Sequence, residues 1–363
     1  MSAGELRFII PAVDRPGVLS GVTETPVERV WNKGIARLCD RRFPDEFPDG
    51  LTYRPVPALA GARMAARLPT DMIADPARAA GIRKGELVWV RLSWLPSFVR
   101  QVLPRVRAPF VLVTADSDSS VPSEVPRDLA REILASPSVI RWFTQNYDGT
   151  EPERMAPLPI GIDFHSMAEH PAWGEAIATP SEQEAALEAL ERALPPLEQR
   201  QPQLYIDFAW SRPARAWFDI AWRPSLRIDH YPAPKAARLR EGRRAVVQKL
   251  RRRDGVVCQN APLLRSEMWR RRGQYAAVLS PHGGGLDCHR TWEALALGHL
   301  VVVPSSSIDP LFRGLRVVAV SDWDQVNAET LTRWLAAPPG DASAAPLTSR
   351  YWVDRMRAVA AGA

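Results

Sequence analysis

The sequence predicts an α/β protein built from two lobes. Compact apolar runs such as Phe110–Thr114 and Leu300–Val303 are short, β-branched and flanked by turn residues, as in parallel strands covered on both faces. These runs alternate with helix-length segments in two separate blocks. In the second block a glycine-rich loop joins a strand directly to a helix. A chain of 363 residues has room for about two domains.

Taken in order, residues 1–85 yield one strand, Leu6–Ile10, and one helix, Val27–Cys39, before prolines break the pattern. Regularity starts at the strand Glu86–Trp94. A short helix Ser97–Leu103, the strand Phe110–Thr114, the helix Asp128–Leu134 and the strands Val139–Phe143 and Leu158–Ile162 complete a first lobe, residues 1–170. Residues 171–202 read as a linker with one helix, opened by the capping box Ser181-x-x-Glu184 and stopped by Pro195–Pro196. A second lobe, residues 203–340, has strands at Leu204–Ala209, Val256–Gln259, Tyr275–Ser280, Leu300–Val303 and Val317–Val320. Its helices are expected at Ala236–Arg252, Leu263–Arg271, Arg290–Leu297 and Ala328–Leu335. Gly298 stands where a helix C′ residue is expected. A terminal helix, Leu347–Ala360, lies within 341–363 and shows an apolar face at Tyr351, Trp352 and Met356.

Composition excludes several classes. Apolar residues are 46% and charged residues 24%, which is ordinary for a globular protein and unlike a disordered chain. Three cysteines, Cys39, Cys258 and Cys288, with no C-x-x-C, argue against a disulfide scaffold or structural zinc. No apolar run reaches the ~18 residues of a membrane span, and the N-terminus lacks a signal-peptide pattern, so a cytoplasmic setting is expected. The net charge of +6 points weakly to anionic partners. The arginine-rich run Arg238–Arg253 fits either a solvated basic face or contact with a polyanion or the inner membrane surface. It lacks the aromatic interleaving that stacks bases, so no nucleic-acid partner is expected.

The segment with chemistry in it is Tyr275–Val303, YAAVLSPHGGGLDCHRTWEALALGHLVVV. A buried strand runs into Gly283, Gly284 and Gly285, which allow close backbone approach and φ > 0, and a helix starts near Asp287–Arg290. A helix N-terminus attracts anions, and Arg290 in the first turn opposes the helix dipole unless an anion lies beside it. Arg290 is thus read as a diphosphate ligand. Glu293, three residues on, is a candidate for a ribose diol, and His282 for a phosphate or sugar hydroxyl. Asp287 alternatively serves as an N-cap. The loop matches neither G-x-G-x-x-G nor G-x-x-x-x-G-K-[ST].

SPHGGGLDCHRTWEALALGHLVVVPSSSIDPLF resembles the nucleotide-sugar lobe of exostosin-like glycosyltransferases over residues 275–325, with looser similarity in VIRWFTQNYDGT and MAPLPIGIDF. The resemblance implies two Rossmann-like lobes facing a cleft, the GT-B architecture. It also implies an inverting transfer; the phosphate signal of the second-lobe loop makes a metal-held donor site unnecessary, so a metal-independent reaction of a UDP- or GDP-sugar with no further cofactor is expected. The acceptor would be a glycan or glycolipid. By that resemblance Arg290 would meet the diphosphate and Glu293 the ribose, with His282 and the glycines lining the loop.

Weaker candidates surround this core. Arg212 follows the strand Leu204–Ala209 at the crevice edge and is read as a diphosphate contact or a surface arginine; Asn260 ends another strand and is placed for a nucleobase. Asp116-Ser117-Asp118 matches the metal-binding tripeptide D-x-D, but so do many ordinary turns. Transfer to a hydroxyl requires a general base, for which Asp116, Asp163 and His165 stand at strand ends of the first lobe. A non-catalytic nucleotide- or glycan-binding protein of the same fold, and a polyanion- or membrane-surface binder, remain alternatives.

Overall fold

The computed structural model describes residues 27–43, 76–169, 171–208, 233–259, 263–337 and 344–362. The expected strand Leu6–Ile10 and the candidates Arg212 and Asn260 lie outside the described residues.

The first lobe carries a five-stranded sheet of β1 (Arg41–Phe43), β2 (Leu87–Arg91), β3 (Phe110–Ala115), β4 (Val139–Thr144) and β5 (Met155–Pro157). The strands are parallel and adjacent in chain order. Every residue of β3 is buried, because both sheet faces are covered. On one face Val88, Val90, Leu112 and Trp142 pack against Phe98, Val102, Leu129 and Ile133. This side includes helix α2 (Arg127–Ala135). On the other face Leu87, Trp89, Val111 and Val113 share a core with Ile35 and Ala36 of α1 (Asn32–Leu38).

Leu158–Ile162, expected as a strand, is not one. The ladder to β4 is made by Met155–Pro157 instead. Ile160 gives its N–H to the other lobe, on Asp287 at 2.8 Å, so that segment is a joint rather than a sheet edge. The linker helix α3 (Pro180–Ala193) starts two residues earlier than expected. Thr179 caps it in a box with Glu182, while Glu184 accepts the backbone N–H groups of Glu28 (2.9 Å) and Arg29 (2.6 Å).

The second lobe contains β6 (Gln201–Ile206), β7 (Val256–Cys258), β8 (Tyr275–Leu279), β9 (Leu300–Pro304) and β10 (Val317–Val320), ordered β10-β9-β8-β6-β7 and all parallel. Helices α4 (Ala233–Leu250), α5 (Arg265–Arg272), α6 (His289–Ala296) and α7 (Ala328–Ala336) accompany them. Read from its first strand this order is 2-1-3-4-5. Successive crossovers leave β6 in opposite directions, and the topological switch point falls between β6 and β8. Two parallel-sheet, Rossmann-like α/β domains are therefore present.

The last helix, α8 (Ser349–Ala361), returns to the first lobe. Trp352, Val353 and Met356 join the core beneath β3 and β4. Arg357 pairs with Asp40 at 3.0 Å, and Trp352 meets Trp292 of α6 edge-on at 6.3 Å. The lobes face each other through the carboxyl ends of their strands. His289 Nδ1–H donates to Gly161 O (2.7 Å), Ser307 Oγ–H to Tyr147 O (2.6 Å) and Asp287 N–H to Asn146 Oδ1 (2.9 Å).

Candidate functional site

Ligands of open α/β sheets sit outside the carboxyl ends of the strands at the switch point. Here that place is bounded by Asp207 and Phe208 after β6, and by Ser280–Asp287 after β8 leading into α6. Cys288, not Asp287, is the N-cap residue of α6. None of Gly283, Gly284 and Gly285 has a positive φ, contrary to expectation. Their value is in close approach. A Cβ on Gly283 would lie 2.7 Å from Cys288 Sγ, and one on Gly285 would fall on the Asn146 carboxamide.

Beneath the loop runs a buried chain of alternating charges. Arg265 bonds Glu293 at 2.8 Å, Glu293 meets Arg272 at 3.5 Å, Arg272 bonds Asp207 at 2.8 Å, and Asp207 lies 3.7 Å from Arg290 Nε. Among the described residues three guanidiniums thus share two carboxylates, and the surplus falls at Arg290. Arg290 Nη1 is buried with no hydrogen-bond partner among the described residues. Burial, with Arg243 and Arg272 nearby, pulls its pKa down although Asp207 opposes this. Arg243, from α4, adds a further cation. It stacks on Phe208 at 5.9 Å, Arg290 stacks on the same ring at 5.1 Å, and Arg243 Nε–H donates to His282 O at 3.2 Å. His282 Nε2 is likewise buried with no hydrogen-bond partner among the described residues, and burial depresses its pKa. Unsatisfied buried guanidinium is costly unless an anion completes it, so the arrangement suits a ligand carrying about two negative charges.

Glu293 is not presented to the crevice; both its oxygens are engaged by arginines, so the expected ribose contact is replaced by a supporting role. Asp287 is likewise structural. Its carboxylate accepts from Ile160 N, Cys288 N and Trp292 Nε1, and burial pushes its pKa up to about 6. Arg290, His282 and the glycines do meet at the crevice. Sequence reasoning missed Arg243, hidden in a run of like residues. It also missed Asn146 and Arg265, whose partners are distant in the chain.

Asp116, Asp163 and His165 converge on the first-lobe side. Asp116 sits at φ +64 after β3, between Lys33 (2.5 Å) and Arg91 (2.8 Å). Burial would raise its pKa, but Arg91 and Lys33 hold it far below the usual carboxylate range, too weak a base to take a hydroxyl proton. The D-x-D carboxylate is therefore engaged by cations of the protein itself. His165 Nδ1 lies 3.0 Å from Asp163 Oδ1. Burial lowers the His165 pKa, but Asp163 outweighs it and the net direction is up. Donor atoms of Asp163, His165 and His289 lie within 4.8 Å of one another, close enough to share a cation. Asp163 is already satisfied by Ser166 N (3.0 Å) and Oγ (2.8 Å), and His289 by Gly161 O, which leaves a histidine–carboxylate pair as the chemical unit.

The basic run is partly discharged: Lys249 bonds Asp322 and Asp324 at 2.8 Å each, and Arg253 bonds Asp324 at 2.5 Å. Among the described residues no helix is long and apolar enough to cross a membrane.

No protein-family model matches the chain, and no curated protein does. Solved structures show distant likenesses. A UDP-forming α,α-trehalose-phosphate synthase from Burkholderia xenovorans has a TM-score of 0.39 at 15% identity, over 79% of this chain and 77% of that one. The enzyme of the same name from Burkholderia vietnamiensis gives 0.38 at 14%, over 85% and 83%. The E. coli trehalose-6-phosphate structure bound with UDP-2-fluoro glucose gives 0.35 at 13%, over 79% and 73%. Likenesses this remote carry no chemistry across; the fold class rests on the two sheets themselves.

Proposed function

We propose that the protein is a glycosyltransferase that moves a sugar from a nucleoside-diphosphate sugar to a hydroxyl of a glycan or glycolipid, with inversion and without a metal. The observation that carries this reading is the buried Nη1 of Arg290 at the β6/β8 switch point, which has no hydrogen-bond partner among the described residues. The diphosphate of such a donor carries two negative charges, matching the surplus of Arg290 and Arg243. The His165 ring, with the Asp163 carboxylate 3.0 Å from its Nδ1, takes the acceptor proton. The acceptor oxygen then bonds the anomeric carbon as the bond to the diphosphate oxygen breaks. The electron pair leaves on the diphosphate, whose added charge the two guanidiniums stabilise.

The test is calorimetric titration of UDP and GDP in the presence of a chelator. One of them binds the wild type. Arg290→Ala and Arg243→Ala each lose a charge-assisted contact of about 1.5–3 kcal/mol, a roughly ten- to hundredfold weakening. Absence of any diphosphate binding, or binding indifferent to both substitutions, would refute the assignment.

A further inference from the structure

Asn146 follows β4 in the first lobe, yet it reaches into the glycine loop of the second. It is fully buried and holds the left-handed backbone conformation at φ +54. Its Nδ2–H donates to Ser117 O at 3.0 Å, one residue beyond Asp116. Its Oδ1 accepts Asp287 N–H at 2.9 Å, at the far end of the glycine loop. Gly285 has no side chain where the carboxamide lies; a Cβ there would sit 2.5 Å from Asn146 Cγ. The neighbouring Gln145 reinforces the first-lobe end, accepting Asp116 N–H at 3.2 Å and donating to Ser117 O at 2.9 Å. One carboxamide therefore ties the turn after β3 to the loop after β8, with both hydrogen-bonding ends used.

We infer that Asn146 is a positioning residue: from the acceptor-side lobe it holds the glycine loop of the donor-side lobe in its diphosphate-binding shape. This rests on the diphosphate site proposed above. The carboxamide fills the space that Gly285 leaves, and its bond to Asp287 N–H fixes the peptide just ahead of α6, so the loop that carries the anion site is shaped from across the cleft. An anion binds tightly only where its donors are already in place, because ordering a glycine-rich loop on binding costs conformational entropy. Lobe apposition and donor affinity are coupled through this one side chain.

The test compares UDP with UMP by calorimetry on the wild type, Arg290→Ala and Asn146→Gly. Glycine tolerates the positive φ and removes the whole side chain, the carboxamide with its methylene. Asn146→Gly is expected to weaken UDP about tenfold and UMP much less, so the UDP-to-UMP affinity ratio falls. A general loosening of the fold would lower both affinities together and leave the ratio unchanged. Gly285→Ala, which displaces the same carboxamide from the opposite lobe, should reproduce the lowered ratio and replaces Asn146→Gly if that variant does not fold. If the ratio stays at its wild-type value while Arg290→Ala lowers it, Asn146 has no positioning role and the diphosphate site stands. If neither UDP nor GDP binds the wild type, the diphosphate site itself is overturned, and this inference with it.

Discussion

Glu293→Gln distinguishes a supporting carboxylate from a ligand-binding one. The substitution preserves shape and leaves no cavity, so its effect reports charge. The Glu293 side chain is 8% exposed, that of Arg265 2% and that of Arg272 0%. Among the described residues Arg265 would keep the neutral hydrogen-bond acceptors Asp163 O at 2.7 Å, Gln183 Oε1 at 2.8 Å and Met167 Sδ at 3.5 Å, plus the faces of Trp173 and Trp269. Arg272 would keep Asp207 alone among the described carboxylates. Removing one partner from a buried pair costs about 3–5 kcal/mol. Against a total of roughly 5–15 kcal/mol for a typical domain, that is a large fraction. The matched control is Glu267→Gln, whose partners Arg270 and Arg271 are exposed and screened by solvent, so that little loss is expected. Urea unfolding followed by circular dichroism measures both, fitted with one transition per lobe where two are resolved. A Glu293→Gln protein as stable as Glu267→Gln would refute the supporting role. If it also lost discrimination between UDP and its 2′,3′-dideoxy analogue, Glu293 would be a ribose ligand.

Asp287 predicts a pH dependence. Its folded pKa, about 6, lies above the ordinary aspartate value of 3.8, so between these values the folded state holds more protons than the unfolded. Stability from this group is fully present below about 3.8 and is lost as pH rises through 6, by about 3 kcal/mol in all. The raised pKa of His165 acts in the same direction at higher pH, so the observable is the difference between wild type and Asp287→Asn in melting scans from pH 4 to 7.5. Equal slopes in the two proteins would contradict the assignment. Trp352→Ala removes the 5%-exposed ring that seats α8 on the first lobe and deletes its bond to Pro346 O at 2.8 Å. A loss of about 3–5 kcal/mol is expected in the first-lobe unfolding transition, and no loss would mean that α8 is dispensable.

The strand–loop–helix from Tyr275 to Val303 could be read directly, because its signals are local. An apolar run, three glycines and an amphipathic helix closed by Gly298 at φ +77 each act within a few residues. The strand at Val317–Val320 has the limits that its apolar run predicts. Local signals misled where two segments competed for one role. Thr179-x-x-Glu182 and Ser181-x-x-Glu184 both spell a capping box, and the first prevails while Glu184 is held by Glu28 N and Arg29 N, about 155 residues away in sequence. Leu158–Ile162 looks like any buried strand; that Ile160 spends its N–H on Asp287 follows only from how the lobes meet.

The sequence alone determined two α/β lobes and a glycine loop ending at an arginine, since side-chain periodicity and backbone permissiveness are properties of neighbouring residues. Tertiary structure decided what surrounds that arginine. Arg265, Glu293, Arg272 and Asp207 come from α5, α6 and the end of β6, while Arg243 comes from α4 and Asn146 from the other lobe. Which charges cancel, and which nitrogen is left unmatched, depends on distances of a few ångströms between segments far apart in the chain. Coulomb and hydrogen-bond energies are set by those distances, and sequence spacing does not encode them.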